Sequence, residues 1–161
     1  MKIEWNEIRT FTLVISLILT NSISVFFYLK NKNNSKEDRL NEKLFRLQDI
    51  AFHSPYLEDG KFINGWIKFK FEYDKSTNVE YDYDNIMNKK YLQYEKYCEM
   101  LFDFLYETHC FYKNEKKILK LIRFDHWIKI HNIWWKNPLQ ERSNQETYDE
   151  KFCNLIDKWM V

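Results

Sequence analysis

Apolar residues along this chain follow two regimes. Residues 10–29 (TFTLVISLILTNSISVFFYL) carry no charge, and twelve of these twenty are Leu, Ile, Val or Phe. At about 1.5 Å rise per residue, a helix of that length reaches roughly 30 Å, one bilayer hydrocarbon core. The twelve contribute about −4 to −7 kcal/mol toward insertion, offset in part by Thr10, Thr12, Ser16, Thr20, Asn21, Ser22 and Ser24. The pattern predicts a transmembrane helix. Its rival is a signal peptide cut at Ser22-Ile23-Ser24. Against that stand Glu4 and Glu7, which leave no net positive leader, and VFFYL, which prolongs the apolar run.

Beyond residue 30 the pattern becomes amphipathic. Residues 31–35 (NKNNS) read as a polar linker, and Ser35 as the cap of a helix running to His53. Leu40, Leu44, Leu47, Ile50 and Ala51 trace the 3.6-residue period there. Pro55 and Asp59-Gly60 close that element. Over 66–83 the rhythm turns to two: Ile67, Phe69, Phe71 and Tyr73 alternate with Lys68, Lys70 and Glu72, then Val79, Tyr81 and Tyr83 with Glu80 and Asp82. This predicts a β-hairpin about DKSTN. A helix over 62–69 stays open, because Phe62, Ile63, Trp66 and Ile67 also share a helical face. Tyr91, Tyr94, Cys98, Leu101, Leu105 and Phe111 mark a long helix. Further helices are expected from Asn114 (Ile118, Leu121 and Ile122 inward), from Asp125 through Trp135, and across Tyr148, Phe152, Leu155, Ile156 and Trp159. The expected fold is mainly α: an N-terminal membrane helix and a helical soluble domain that includes the hairpin. Residues 1–30 form the anchor, 31–36 the linker and 37–161 the cytoplasmic helical domain.

Charge sets the direction. Lys2 and Arg9 precede the apolar run, whereas Lys30, Lys32, Lys36 and Arg39 follow it, placing the N-terminus outside and the C-terminal domain in the cytoplasm. Three cysteines without CxxC spacing fit a reducing compartment. A formal net charge of +1 supplies no field to recruit nucleic acid. The thirty aromatics accompany a single alanine, Ala51, so they serve first as core filler. With only Gly60, Gly65, Pro55 and Pro138 there is no Gly-rich phosphate loop, and no cofactor is expected.

Four groups of residues are candidates for chemistry. Thr12, Ser16, Thr20 and Ser24, with Asn21 beside them, stack on one helix face and suit anchor self-association; the alternative is that each hydroxyl bonds its own backbone. Glu95, Glu99, Asp103 and Glu107 form an acidic stripe that calls for a cationic neighbour, and Lys116, Lys117, Lys120 and Arg123 offer one. Lys116, Lys120, Arg123, His131 and Trp135 are the candidate site for a small anionic ligand. His126 and His131 lie five apart and cannot share a metal as an i,i+4 pair does, so no metal site is expected. Cys98, Cys110 and Cys153 read as packed thiols rather than nucleophiles. These features point to a non-enzymatic, membrane-anchored signalling or binding protein of bacterial type. Its domain would bind a protein partner or small anion and couple that event to homo-oligomerisation of the anchor. A structural subunit of a larger membrane complex, or a tethered hydrolase using His131 or His109, is the alternative.

Overall fold

No glycine or proline occurs between Trp5 and Ser54, and the backbone there is one helix, α1 (Trp5–His53). The computed structural model describes residues 5–75, 85–115, 118, 124–137 and 144–160; within these, the side chains of 5–14, 16–17, 72–75 and 124–125 lie outside the description. The polar residues 31–36, expected as a linker, are helical, because polarity alone does not break a helix as Gly and Pro do. Contacts divide the chain into two compact units, residues 1–42 and 43–161.

In the first unit the described apolar side chains of the uncharged stretch stand open: Ile18, Leu19, Ile23, Phe26 and Leu29 are all more than half exposed, whereas Leu40 is buried. Among the described residues no helix is long and apolar enough to cross a membrane. To that extent the expected single-pass span is not found; its first half, residues 10–14, 16 and 17, lies outside the described side chains. The Ser22 hydroxyl donates to the Ile18 carbonyl at 2.8 Å and Ser24 to that of Thr20 at 2.9 Å. Those protons are therefore used within the helix.

In the second unit, α1 ends in a 3-10 turn, Pro55–Glu58. Asp59 then caps α2 (Gly60–Lys75), its Oδ1 accepting from the Lys61 and Phe62 amides at 2.8 and 3.0 Å. The hairpin expectation is corrected here. Its first arm belongs to α2, no strand occurs among the described residues, and the second arm, 79–83, lies outside them. Ile63, Trp66 and Lys70 are the buried positions, spaced three and four apart, and Phe71 is exposed, so the period in use is 3.6 rather than two.

The long helix expected near 91–111 is α3 (Ile86–Tyr112), opened by Asn85, whose side chain accepts from the Met87 and Asn88 amides. Tyr94, Tyr97, Cys98, Leu101, Phe102, Phe104, Leu105 and Thr108 are all buried. Such a wide arc makes α3 the central element. The helix expected over 125–135 is two pieces, α4 (Phe124–Ile130) and α5 (Asn132–Lys136), parted at His131. A second 3-10 turn, Asn144–Thr147, leads to α6 (Glu150–Met160), capped by Asp149 and burying Phe152 and Ile156. Phe102 stacks on Trp134 and Trp135, with ring centroids 5.2 and 4.7 Å apart, and ties α3 to α5.

Candidate functional site

The densest polar chemistry in the interior surrounds His131. Backbone hydrogen bonds continue through the break between α4 and α5: the His131 amide donates to Trp127, and its carbonyl accepts from Trp135, each at 3.2 Å. The imidazole is fully buried. Its Nδ1 faces the Tyr94 hydroxyl at 3.2 Å and the Cys98 sulfur at 3.7 Å. Its Nε2 faces Glu58 Oε1 at 3.5 Å, a polar contact longer than an ordinary hydrogen bond. The Tyr97 hydroxyl donates to the same carboxylate oxygen. The Pro55–Glu58 turn, α3 and the α4–α5 junction therefore meet at one ring.

Electrostatics fix the proton on most of these groups. Burial raises the Glu58 carboxyl, but the close His131 ring, the Tyr97 hydrogen bond and the electrostatic influence of His131 and His126 outweigh it, holding Glu58 below the usual carboxylate range. Burial pushes Tyr94, Tyr97 and the Cys98 thiol upward, aided for Tyr97 by its bond to Glu58. All three keep their protons at neutral pH.

Cys98, His131 and Glu58 together have the order of a thiol–imidazole–carboxylate relay. The relay faces the wrong way for catalysis. Cys98 is fully enclosed, whereas the Glu58 side chain is 24% exposed, so solvent reaches the carboxylate end and not the sulfur. A buried, protonated thiol is a poor nucleophile. Nor can Cys98 and Glu58 share a metal, since they face opposite ring nitrogens; among the described residues no three His, Cys, Asp or Glu groups are placed to hold one.

Of the candidate ligand residues, His131 and Trp135 are fully buried, and Trp135 is packed against Phe102, Tyr148 and Phe152 while its indole N–H donates to Asp157 at 3.1 Å. Neither ring offers an open stacking face. Lys116, Lys120 and Arg123 lie outside the described residues, as does Lys117. The side chains of Thr12 and Ser16 are likewise outside them, while Thr20, Asn21 and Ser24 are exposed. The acidic stripe finds partners on other elements and, at Lys96, on α3 itself. Lys70 of α2 pairs with Glu95 at 3.3 Å, Lys43 of α1 with Glu107 at 2.6 Å, Lys96 with Glu99 at 2.7 Å, and the Tyr148 hydroxyl bonds Asp103 at 2.9 Å. Beside that stripe lies a cavity of about 160 Å³ lined by Lys43, Arg46, Leu47, Met100 and Asp103.

Glu58, Tyr94 and Tyr97 were not singled out as site residues from the sequence. Tyr94 and Cys98 stand four apart on the inward face of a legible helix, but no spacing links either to Glu58 or His131. No protein-family model matches this chain, and no curated protein or solved structure shows significant similarity to it.

Proposed function

We propose that the chain is a single-pass membrane protein, N-terminus outside and helical domain in the cytoplasm, that works by binding rather than by catalysis. The observation that carries this reading is the exposure of Ile18, Leu19, Phe26, Phe27 and Leu29. At 100° per residue the apolar side chains of 18–29 cover roughly 200° of the helix surface. Thr20, Asn21, Ser24 and Tyr28 occupy the rest, and Ser22 lies within the apolar arc. Each Å² of apolar surface left in water costs about 25 cal/mol, which lipid relieves. The polar remainder suits a sister helix. The four cations at 30, 32, 36 and 39 support the orientation.

The domain binds a protein partner or small anion, and that event alters how anchors pack along Thr12, Ser16, Thr20, Asn21 and Ser24. The enclosed thiol of Cys98 favours binding over a hydrolase. The test is fractionation of cells expressing the full chain. The protein should stay in the membrane pellet through an alkaline carbonate wash and leave it with detergent; recovery in the carbonate supernatant refutes the anchor. Ser16→Leu/Thr20→Leu should then abolish the oligomer seen by native mass spectrometry in detergent. Unchanged assembly would remove the coupling step while leaving the anchor intact.

A further inference from the structure

We propose that the cavity between α1 and α3 is a binding site for a small zwitterion, an α-amino acid with an apolar side chain. The site rests on the binding role proposed for the domain and names its ligand class. Lys43, Arg46 and Leu47 line the cavity from α1, and Met100 and Asp103 from α3. All five lie within residues 43–161. The Lys43 ammonium is already held by Glu107 at 2.6 Å, so that wall is close to neutral. Two opposite charges remain. Arg46 is exposed, and among the described residues no carboxylate pairs with it. Asp103 accepts the Tyr148 O–H on Oδ1 at 2.9 Å, and among the described residues its Oδ2 has no hydrogen-bond partner.

These two groups select for charge at both ends of a ligand. A plain anion drawn to Arg46 meets the Asp103 carboxylate, and a plain amine drawn to Asp103 meets Arg46 and Lys43. A zwitterion is attracted at each end. Its carboxylate matches the planar fork of the Arg46 guanidinium, and its ammonium donates to Asp103. Leu47 and Met100 offer apolar surface to the remainder of the molecule. The cavity, about 160 Å³, is close to the roughly 150 Å³ that admits benzene. So small a space requires a compact occupant whose two charges sit on neighbouring atoms, as they do in an α-amino acid.

The test titrates the full-length chain in detergent, with its methionine methyl groups labelled with ¹³C. Met100 reports from the cavity wall, while Met87 at the start of α3 and Met160 at the end of α6 serve as controls. Met100→Leu assigns the resonance. The probes are L-leucine, isocaproate (leucine without its ammonium) and isoamylamine (leucine without its carboxylate). A ligand of so few atoms at a site open to water binds on the order of millimolar. Leucine should shift the Met100 methyl saturably and leave the other two in place, and each one-charge probe should bind about tenfold more weakly or worse. Arg46→Gln should weaken leucine by about tenfold and leave isoamylamine no weaker. Asp103→Asn, which keeps an acceptor for Tyr148, should weaken leucine to a similar degree and leave isocaproate no weaker. A Met100 methyl unmoved by leucine overturns the proposal, as does leucine affinity indifferent to both substitutions. Isocaproate binding as tightly as leucine removes the zwitterion while the broader anion-binding role stands. None of these outcomes bears on carbonate extraction or anchor assembly, where the membrane reading fails by itself.

Discussion

Gly65 is where the packing of α2 on α3 can be tested most sharply. Its φ is not positive, so alanine fits the backbone and should gain about 0.8–1 kcal/mol of helix propensity. The structure reverses that sign. A Cβ at Gly65 would stand under 3.0 Å from the Tyr91 hydroxyl oxygen, with Cζ at 3.4 Å and Cε1 at 3.7 Å. The Tyr91 ring cannot swing aside freely, because it stacks on Phe62 and Phe69 with centroids 4.7 and 5.0 Å away. Each stack is worth about 0.5–1.5 kcal/mol. Forcing a methyl into a packed contact costs about 1–3 kcal/mol. Net of the propensity gain, Gly65→Ala should therefore lower stability by up to about 2 kcal/mol. Urea unfolding followed by far-UV circular dichroism should show the midpoint fall. Tyr91→Phe keeps both stacks and removes the clashing oxygen, so the double variant should recover to wild-type stability or above. A Gly65→Ala protein more stable than the wild type, or a double variant no better than the single, would refute the argument.

Two further outcomes follow from the interior. Glu58 has a folded-state pKa below its unfolded one; the stability it contributes is present above the unfolded carboxylate value and lost as pH falls through the folded one. Urea midpoints taken from neutral pH down through the carboxylate range should fall, and Glu58→Gln should flatten that acid limb; an unchanged slope would count against the pairing. Thiol labelling in native conditions should modify exposed Cys110 first and half-buried Cys153 slowly, since burial raises the latter and its S–H donates to the Gln145 carbonyl at 3.3 Å. Cys98 should react only after denaturation, and fast native labelling there would contradict its enclosure.

Much of the helical framework was legible because spacing reports it directly. Tyr94, Cys98, Leu101 and Leu105, read as one inward face, are buried on α3, and Phe152 and Ile156 are buried on α6. The misreading at 66–75 has a physical cause: Ile67, Phe69 and Phe71 alternate with lysines, yet Lys70 lies on the inward face with its ammonium on Glu95. A long aliphatic stem lets lysine occupy a position that a binary pattern counts as polar. The helical break at His131 carries no glycine or proline to announce it. Among the described residues Lys43, Lys70 and Lys96, scattered along the chain, pair with the acidic stripe; the basic run of Lys116, Lys117, Lys120 and Arg123 lies outside them.

From its own chemistry the sequence determined the helical class, the uncharged segment at 10–29, the limits set by proline and glycine at 55–60, and which positions of α3 and α6 turn inward. Tertiary structure alone decided that buried Tyr94, Tyr97, Cys98 and His131 share one cluster with the part-exposed Glu58, and that Trp135 is enclosed. Periodicity records which side of an element avoids water; it holds no information on which distant element covers that side. The contact between Glu58 and His131 joins a turn to a helix junction far along the chain, and only the closed packing of the helices brings a carboxylate to that imidazole.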